Sequence, residues 1–168
     1  MDFEIRDEQP GDIPAIHALN REAFGQEQEA NIVDALRQNG GARLSLVAVI
    51  DGKVVGHIMY SPITIEGKLE GAALGPMAVL PKFQHQGIGS SLVRAGNERL
   101  EREGWPFIIV LGHAEFYPRF GFKPASEHGI TCEWEVPDDV FMLLVLDEKR
   151  MRDVAGKSRY RPELSTVE

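Results

Sequence analysis

The apolar positions of this chain change period several times, and each change marks an element. Phe3 to Arg6 alternates apolar and charged residues, the period of a half-buried strand, and Gln9-Pro10-Gly11-Asp12 interrupts it. Ile13, Ile16, Leu19 and Ala23 or Phe24 then recur at helical spacing, with Asp12 placed to act as N-cap and Pro14 in the first turn. Ile32, Val33 and Leu36 mark a second helix, stopped by Asn39-Gly40-Gly41. Leu44 to Ile50 and Lys53 to Ser61 are β-rich runs on either side of Asp51-Gly52, a two-residue sequence suited to a tight hairpin turn.

A third strand is predicted from Ala72 to Leu80. Its Gly75-Pro76 pair should disturb the ladder, because proline has no N–H to donate, and we expect a bulge there. Beyond Gly87 and Gly89, an apolar stripe of Ile88, Leu92, Val93, Ala95 and Leu100 predicts the main helix, ending at Glu103-Gly104. Pro106 to Leu111 is continuously apolar and reads as a central strand, parallel to Ala72 to Leu80 through a right-handed helical crossover. These four pieces form a βαβ unit. Ala114 to Phe120 is expected to be a short helix, turned by Gly121-Phe122. Ile130, Cys132, Trp134 and Val136 alternate with polar residues and Phe141 to Leu146 is a buried run, which together predict two antiparallel closing strands. One domain is expected over residues 1–150, with a polar tail, 151–168, of little predicted structure.

Composition narrows the function. With 168 residues, 43% of them hydrophobic, the chain can fill one core. A net charge of −8 argues against nucleic acid or an anionic membrane as partner, since both select clustered Lys and Arg, and is compatible with a positively charged substrate. Cys132 is the single cysteine, so neither an intrachain disulfide nor a cysteine-rich metal site can form, and we expect no metal. No leader-like segment opens the sequence and no window approaches the ~18 apolar residues of a membrane span, so a cytoplasmic protein is expected.

The stretch from Val79 to Ser91 carries the chemistry. It passes from an apolar strand through two glycines into a helix, whose first turn leaves N–H groups unpaired and whose dipole favours an anion. Gly87 and Gly89 let several N–H groups converge on a diphosphate without an intervening Cβ. A P-loop requires a glycine where Met151 stands before Gly156-Lys157-Ser158, and a dinucleotide fingerprint requires one where Leu92 stands. Serine-hydrolase elbows and the helical zinc-protease pattern are absent.

The remaining pattern, Gln84-x-x-Gly87-x-Gly89, closely resembles the coenzyme A motif of the GNAT superfamily of N-acetyltransferases. The hairpin at Asp51-Gly52, the Leu74 to Pro81 strand and Phe116-Tyr117 followed by Gly121-Phe122 occur in the order that family uses. The resemblance implies an α/β (α+β) fold: a mixed, mostly antiparallel sheet split into a V, with a central βαβ unit and flanking helices. It also implies acetyl-coenzyme A as cosubstrate. Met77, Ala78 and Val79 would line the pantetheine arm; Gln84, His85, Gln86, Gly87, Ile88, Gly89 and Ser90 would hold the pyrophosphate; Tyr117 would sit near the sulfur.

Transfer to an amine needs a neutral amine, a polarised thioester carbonyl and a proton for the departing thiolate. The resemblance makes Tyr117 the general acid; otherwise it is a packed tyrosine whose hydroxyl caps a backbone group. The N–H near Met77 is the family-like group for carbonyl polarisation. His113 and Glu115, beyond the Pro106 to Leu111 strand, are candidate bases, or else a loop histidine and a solvated helix-start carboxylate, with water relaying the proton elsewhere. His85 is assigned backbone duty only, and His57 is read as a hydrogen-bonded sheet histidine. Cys132 is read as core packing. Phe24 with Glu22, Glu27 and Glu29 forms either part of the family's acceptor wall or a solvated helix face. The expected function is direct acetyl transfer to a primary amine of a small molecule or peptide by a monomer or homodimer. A non-catalytic acetyl-coenzyme A sensor is the alternative, and a longer acyl chain a third possibility.

Overall fold

The computed structural model describes residues 2–167, and its contacts divide the chain into two compact units. Unit 1 holds residues 1–61, 75–96 and 162–168; unit 2 holds residues 62–74 and 97–161. Among the described residues, no helix is long and apolar enough to cross a membrane.

Unit 1 opens with β1 (Glu4–Asp7), which pairs antiparallel with β2 (Leu44–Ile50), and two helices intervene, α1 (Ile13–Phe24) and α2 (Gln28–Gln38). Asp12 stands at the N-cap of α1 but makes no side-chain cap bond there. Arg6 draws its carboxylate away through contacts of 2.7 and 3.1 Å, and Gln9 N–H donates to it at 2.7 Å, so the expected cap serves the turn before the helix instead. β2 returns as β3 (Lys53–Ile65) through Asp51 and Gly52, with φ of 49° and 78°, the left-handed pair that a type I′ turn demands.

The faces of β3 alternate. Gly56 lies under the main helix, α3 (Ile88–Arg102), where a Cβ would stand 3.1 Å from both Ile88 and Leu92, and Tyr60 fills the space beside Gly96. The opposite face carries His57 toward α1. The predicted Ala72 to Leu80 strand is β4 (Leu69–Val79), and it runs through Gly75-Pro76, where the peptide is cis and Gly75 has φ 145°.

Within unit 2, β4 pairs in parallel with β5 (Phe107–Leu111), from Ala72↔Ile108 to Leu74↔Val110, so strand, α3 and strand form the expected βαβ unit. Beyond β5 come β6 (Lys123–Pro124), β7 (Ile130–Thr131) and β8 (Phe141–Val145); β8 pairs antiparallel with both β5 and β6. Then follow a single-turn helix, α4 (Glu148–Met151), and β9 (Gly156–Tyr160). β9 pairs antiparallel with Ile63 to Ile65 of β3. Phe107, Ile109, Phe141, Leu143, Ile63, Ile65 and Met151 make the core of this unit. Of the pairs named here, β4–β5 and β7–β9 are parallel and the others antiparallel, which makes a mixed, mostly antiparallel α/β fold.

Two expectations need correction. The alternating Ile130 to Val136 segment is not a closing strand: only Ile130 and Thr131 are extended, and they pair in parallel with β9. Its later residues are held by β9 side chains and backbone, Trp134 stacking on Tyr160 at 4.8 Å and Glu133 accepting from Tyr160 N–H at 2.6 Å. The partner strand thus comes from the segment expected to be tail. The short helix expected from Ala114 is a 3-10 turn over Tyr117–Phe120, closed by Gly121 N–H donating to Pro118 at 3.0 Å, with Gly121 left-handed.

A buried polar network fixes α1 on the hairpin of unit 1. Asn20 donates to the Ile16 carbonyl at 3.0 Å and its amide nitrogen faces His57 Nδ1 at 3.3 Å. His57 Nε2 meets Ser45 Oγ at 2.9 Å, Ser45 donates to Glu8 at 2.6 Å, and Arg37 grips Glu8 at 2.7 and 2.9 Å. The directions are mutually consistent for a neutral His57 protonated on Nε2. Complete desolvation pushes its pKa down to about 4, with Arg37 adding to the effect and Glu8 opposing it. Burial raises the Glu8 carboxyl, but the Arg37 and Ser45 hydrogen bonds outweigh this and hold it below its ordinary value.

Two outcomes follow from this packing. Gly71→Ala should destabilise the protein by about 1–3 kcal/mol, because a Cβ there overlaps the buried Phe107 ring; chemical denaturation measures it. As pH falls below ~6.5 the unfolded chain protonates its histidine at position 57. The folded chain resists until about 4, so stability should drop through this window by up to ~3 kcal/mol from this group. Urea unfolding of wild type and His57→Gln at pH 7 and 5 should show a shallower pH dependence in the variant, and equal slopes would refute the buried neutral histidine.

Candidate active site

The turn between β4 and α3 is built by local bonds within unit 1. Pro81–Phe83 forms a 3-10 turn, with Phe83 N–H donating to Leu80 at 2.8 Å, and Leu80 N–H donates to Val55 at 2.9 Å, fastening the strand end to β3. Gln84 then leaves in extended conformation and its side-chain amide donates back to the Val79 carbonyl at 3.0 Å. The glutamine of the motif therefore braces the turn against the strand it came from. His85 and Gly87 are left-handed, at φ 64° and 87°, and α3 starts at Ile88 with Ser91 N–H donating to Gly87 at 3.0 Å.

Ile88 is buried while His85, Gln86 and Gly87 are exposed, and a Cβ at Gly87 would meet nothing within 4 Å. The first turn of an α-helix has no intrahelical acceptors for its leading N–H groups, here those of Ile88, Gly89 and Ser90. An exposed, N–H-rich turn at the positive end of a fifteen-residue helix suits a diphosphate. The His85 side chain is exposed. Met77 is half-buried on β4, and Ala78 and Val79 are buried.

In unit 2, Leu111, Gly112, His113, Ala114, Glu115 and Val140 line an open depression of about 470 Å³. The two candidate bases thus share one water-accessible hollow beyond the end of β5. Tyr117 lies behind them and does not line it. Phe116 and Tyr117 N–H groups both donate to the His113 carbonyl, at 3.1 and 3.3 Å, which ties the tyrosine's backbone to the histidine's. The Tyr117 ring packs edge-on against Phe116 and Phe122, at 5.0 and 5.8 Å, and over Gly112, where any Cβ would meet it. Burial pushes its phenol up to about 12. Its backbone is hydrogen-bonded, and its hydroxyl caps no backbone group among the described residues.

The other candidates are resolved by their surroundings. His57 is fully buried and hydrogen-bonded in the sheet, and Cys132 packs half-buried against the unit 2 core. Among the described residues no group of three or more His, Cys, Asp or Glu is arranged to hold a metal. Glu27, read from sequence as part of the acceptor wall or of a solvated helix face, is bonded to His17, which was not singled out by any motif. The two are ten residues apart on either side of a helix corner, a separation at which no local periodicity signals contact.

Comparison with known proteins agrees with this geometry. The acetyltransferase (GNAT) domain family matches residues 41–124. The chain is 35% identical over 158 residues to the uncharacterized N-acetyltransferase YhbS of Escherichia coli (strain K12), spanning 93% of this chain and 95% of that one. It is 38% identical over 143 residues to the uncharacterized N-acetyltransferase YjhQ of the same strain, spanning 82% and 78%. The crystal structure of E. coli YhbS in complex with CoA matches with TM-score 0.93 and 34% identity over 97% of this chain and 92% of that one. A GNAT family acetyltransferase from Brucella melitensis in complex with acetyl-CoA matches with TM-score 0.82 and 34% identity, over 97% and 98%. Joined to the braced glycine turn at the start of α3, this degree of identity over nearly the whole chain establishes that the protein belongs to the GNAT family of N-acetyltransferases.

Proposed function

We propose that this protein moves an acetyl group from acetyl-CoA directly to a primary amine of a small molecule or peptide, both substrates being bound together and no acyl-enzyme forming. The observation that carries the reading is the turn from Gln84 to Ser90, open to solvent and rich in N–H groups at the head of α3. Two relatives that share its fold at 34% identity bind CoA and acetyl-CoA in their crystal structures. The N–H groups from His85 to Ser90 take the pyrophosphate, and those of Met77 and Val79 face the pantetheine arm, Met77 also polarising the thioester carbonyl. Ordered binding of the two substrates supplies much of the acceleration through proximity.

Tyr117 serves the leaving group. A phenol pushed up to about 12 stays protonated across the working range and sits above the ~8.5 of an ordinary thiol. It therefore acts chiefly by donating a hydrogen bond to the developing thiolate rather than by surrendering its proton early. His113 and Glu115 share a solvent-open hollow, where an imidazole or a carboxylate can take the proton from an ammonium acceptor. Cys132, half-buried against the core, takes no part. The charge of −8 favours a cationic acceptor.

Turnover of acetyl-CoA with a panel of amines, run beside a thermal shift with CoA, tests the reading. Saturating CoA should stabilise the fold by about 2.7 kcal/mol at a hundred times Kd, and at least one amine should be acetylated. Stabilisation without turnover would leave a sensor, and no stabilisation up to millimolar CoA would end the proposal. Tyr117→Phe should lower kcat roughly 10–100-fold with KM for acetyl-CoA little changed, the worth of one hydrogen bond to a charged atom. An unchanged kcat removes Tyr117 from the reaction.

A further inference from the structure

His17, on α1, stands outside the chemistry proposed above, and both of its ring nitrogens meet carboxylates. Nδ1 lies 2.7 Å from Asp34 of α2, and Nε2 lies 2.9 Å from Glu27, the residue that precedes α2. A neutral imidazole has one N–H and one lone pair, so it can bond only one of two carboxylates; the other contact would set a lone pair against a carboxylate oxygen. Both contacts are hydrogen bonds when the ring carries two protons. We propose that imidazolium His17 is a pH-dependent clasp on the corner between α1 and α2, closed when the ring is protonated and opened at Glu27 when it is neutral.

The surrounding charges support that assignment. Arg21 stands beside Glu27 at 3.5 Å and Arg37 beside Asp34 at 3.2 Å, and Arg37 continues to Glu8. From Arg21 through Glu27, His17, Asp34 and Arg37 to Glu8 the signs alternate, and only a charged His17 balances the row. His57, farther along the same network, is neutral and leaves the balance unchanged.

Glu27 is the bond that yields. Its side chain is 52% exposed against 30% for Asp34, its remaining partner Arg21 is also exposed, and its contact with the ring is the longer of the two. Although Glu27 occupies the N-cap position of α2, its carboxylate makes no cap bond, having turned to His17 instead. Gly25, left-handed at φ 71°, and Gln26 complete the corner, so its release leaves the buried Ile16, Leu19, Ala30, Val33 and Leu36 undisturbed. The hydrogen bond to Asp34, opposed by burial and reinforced by Glu27, raises the His17 pKa above its ordinary value. A raised folded-state value means that the clasp contributes fully below pH ~6.5 and is lost as pH climbs through the folded value.

Nitrogen-15 NMR of the histidine rings in the full chain tests this directly. At pH 6.5 both nitrogens of His17 should be protonated, and Glu27→Gln should move its titration to lower pH. Amide exchange at residues 25–28, corrected for its intrinsic pH dependence, should quicken about two- to fivefold as His17 deprotonates, the change expected from losing one surface ion pair. In His17→Gln the corrected exchange should not vary with pH. A single neutral tautomer at pH 6.5, or equal exchange profiles in wild type and His17→Gln, overturns the clasp; neither readout depends on acetyl-CoA turnover.

Discussion

The start of α3 is a place where backbone donors cannot be satisfied by their own helix, and much of unit 1 serves to hold that start still and open to solvent. Ile88 and Leu92 press onto Gly56 of β3, where the missing side chain lets the helix come close. The end of β4 is bonded to β3 through Leu80 and Val55, and Gln84 ties the following turn back to Val79. Between these anchors Gln84 to Gly87 are exposed, and the left-handed His85 and Gly87 turn the chain into the helix. An anion site made of main chain needs this rigidity, because each N–H that wanders forfeits part of the converging field.

Electrostatics in the same unit follow a second logic. Charges are partly withdrawn from water in a row of alternating sign, and the row ends at a histidine held neutral by complete burial. Removing one partner from such a row leaves another unbalanced, so its members are coupled to a degree that exposed pairs are not. Histidines at two points of one network thus have opposite states for local reasons: His17 has two carboxylates against it, and His57 has an amide and a hydroxyl.

Much of the architecture was legible in one dimension. The Asp51-Gly52 hairpin, α3, the parallel β4–β5 step and the family motif all depend on short-range pattern, and each stands where expected. The failures share a cause. Ile130 to Val136 alternates like a strand, yet it has a ladder partner only at Ile130 and Thr131, and that partner is β9, a segment whose polar composition hid its pairing role. Asp12 looked like a cap until Arg6 competed for its carboxylate. His17 carried no motif, because its partners lie across a corner rather than along a helix face.

By itself, the order of residues determined the elements, the βαβ unit and the glycine turn, since period, turn chemistry and the absence of a Cβ act within a few positions along the chain. Tertiary structure decided which polar groups find one another. It put the Tyr117 phenol among aromatic rings, His57 in a dry sheet and His17 between two carboxylates. Desolvation and hydrogen bonding set protonation, and both depend on neighbours that only the folded chain brings together.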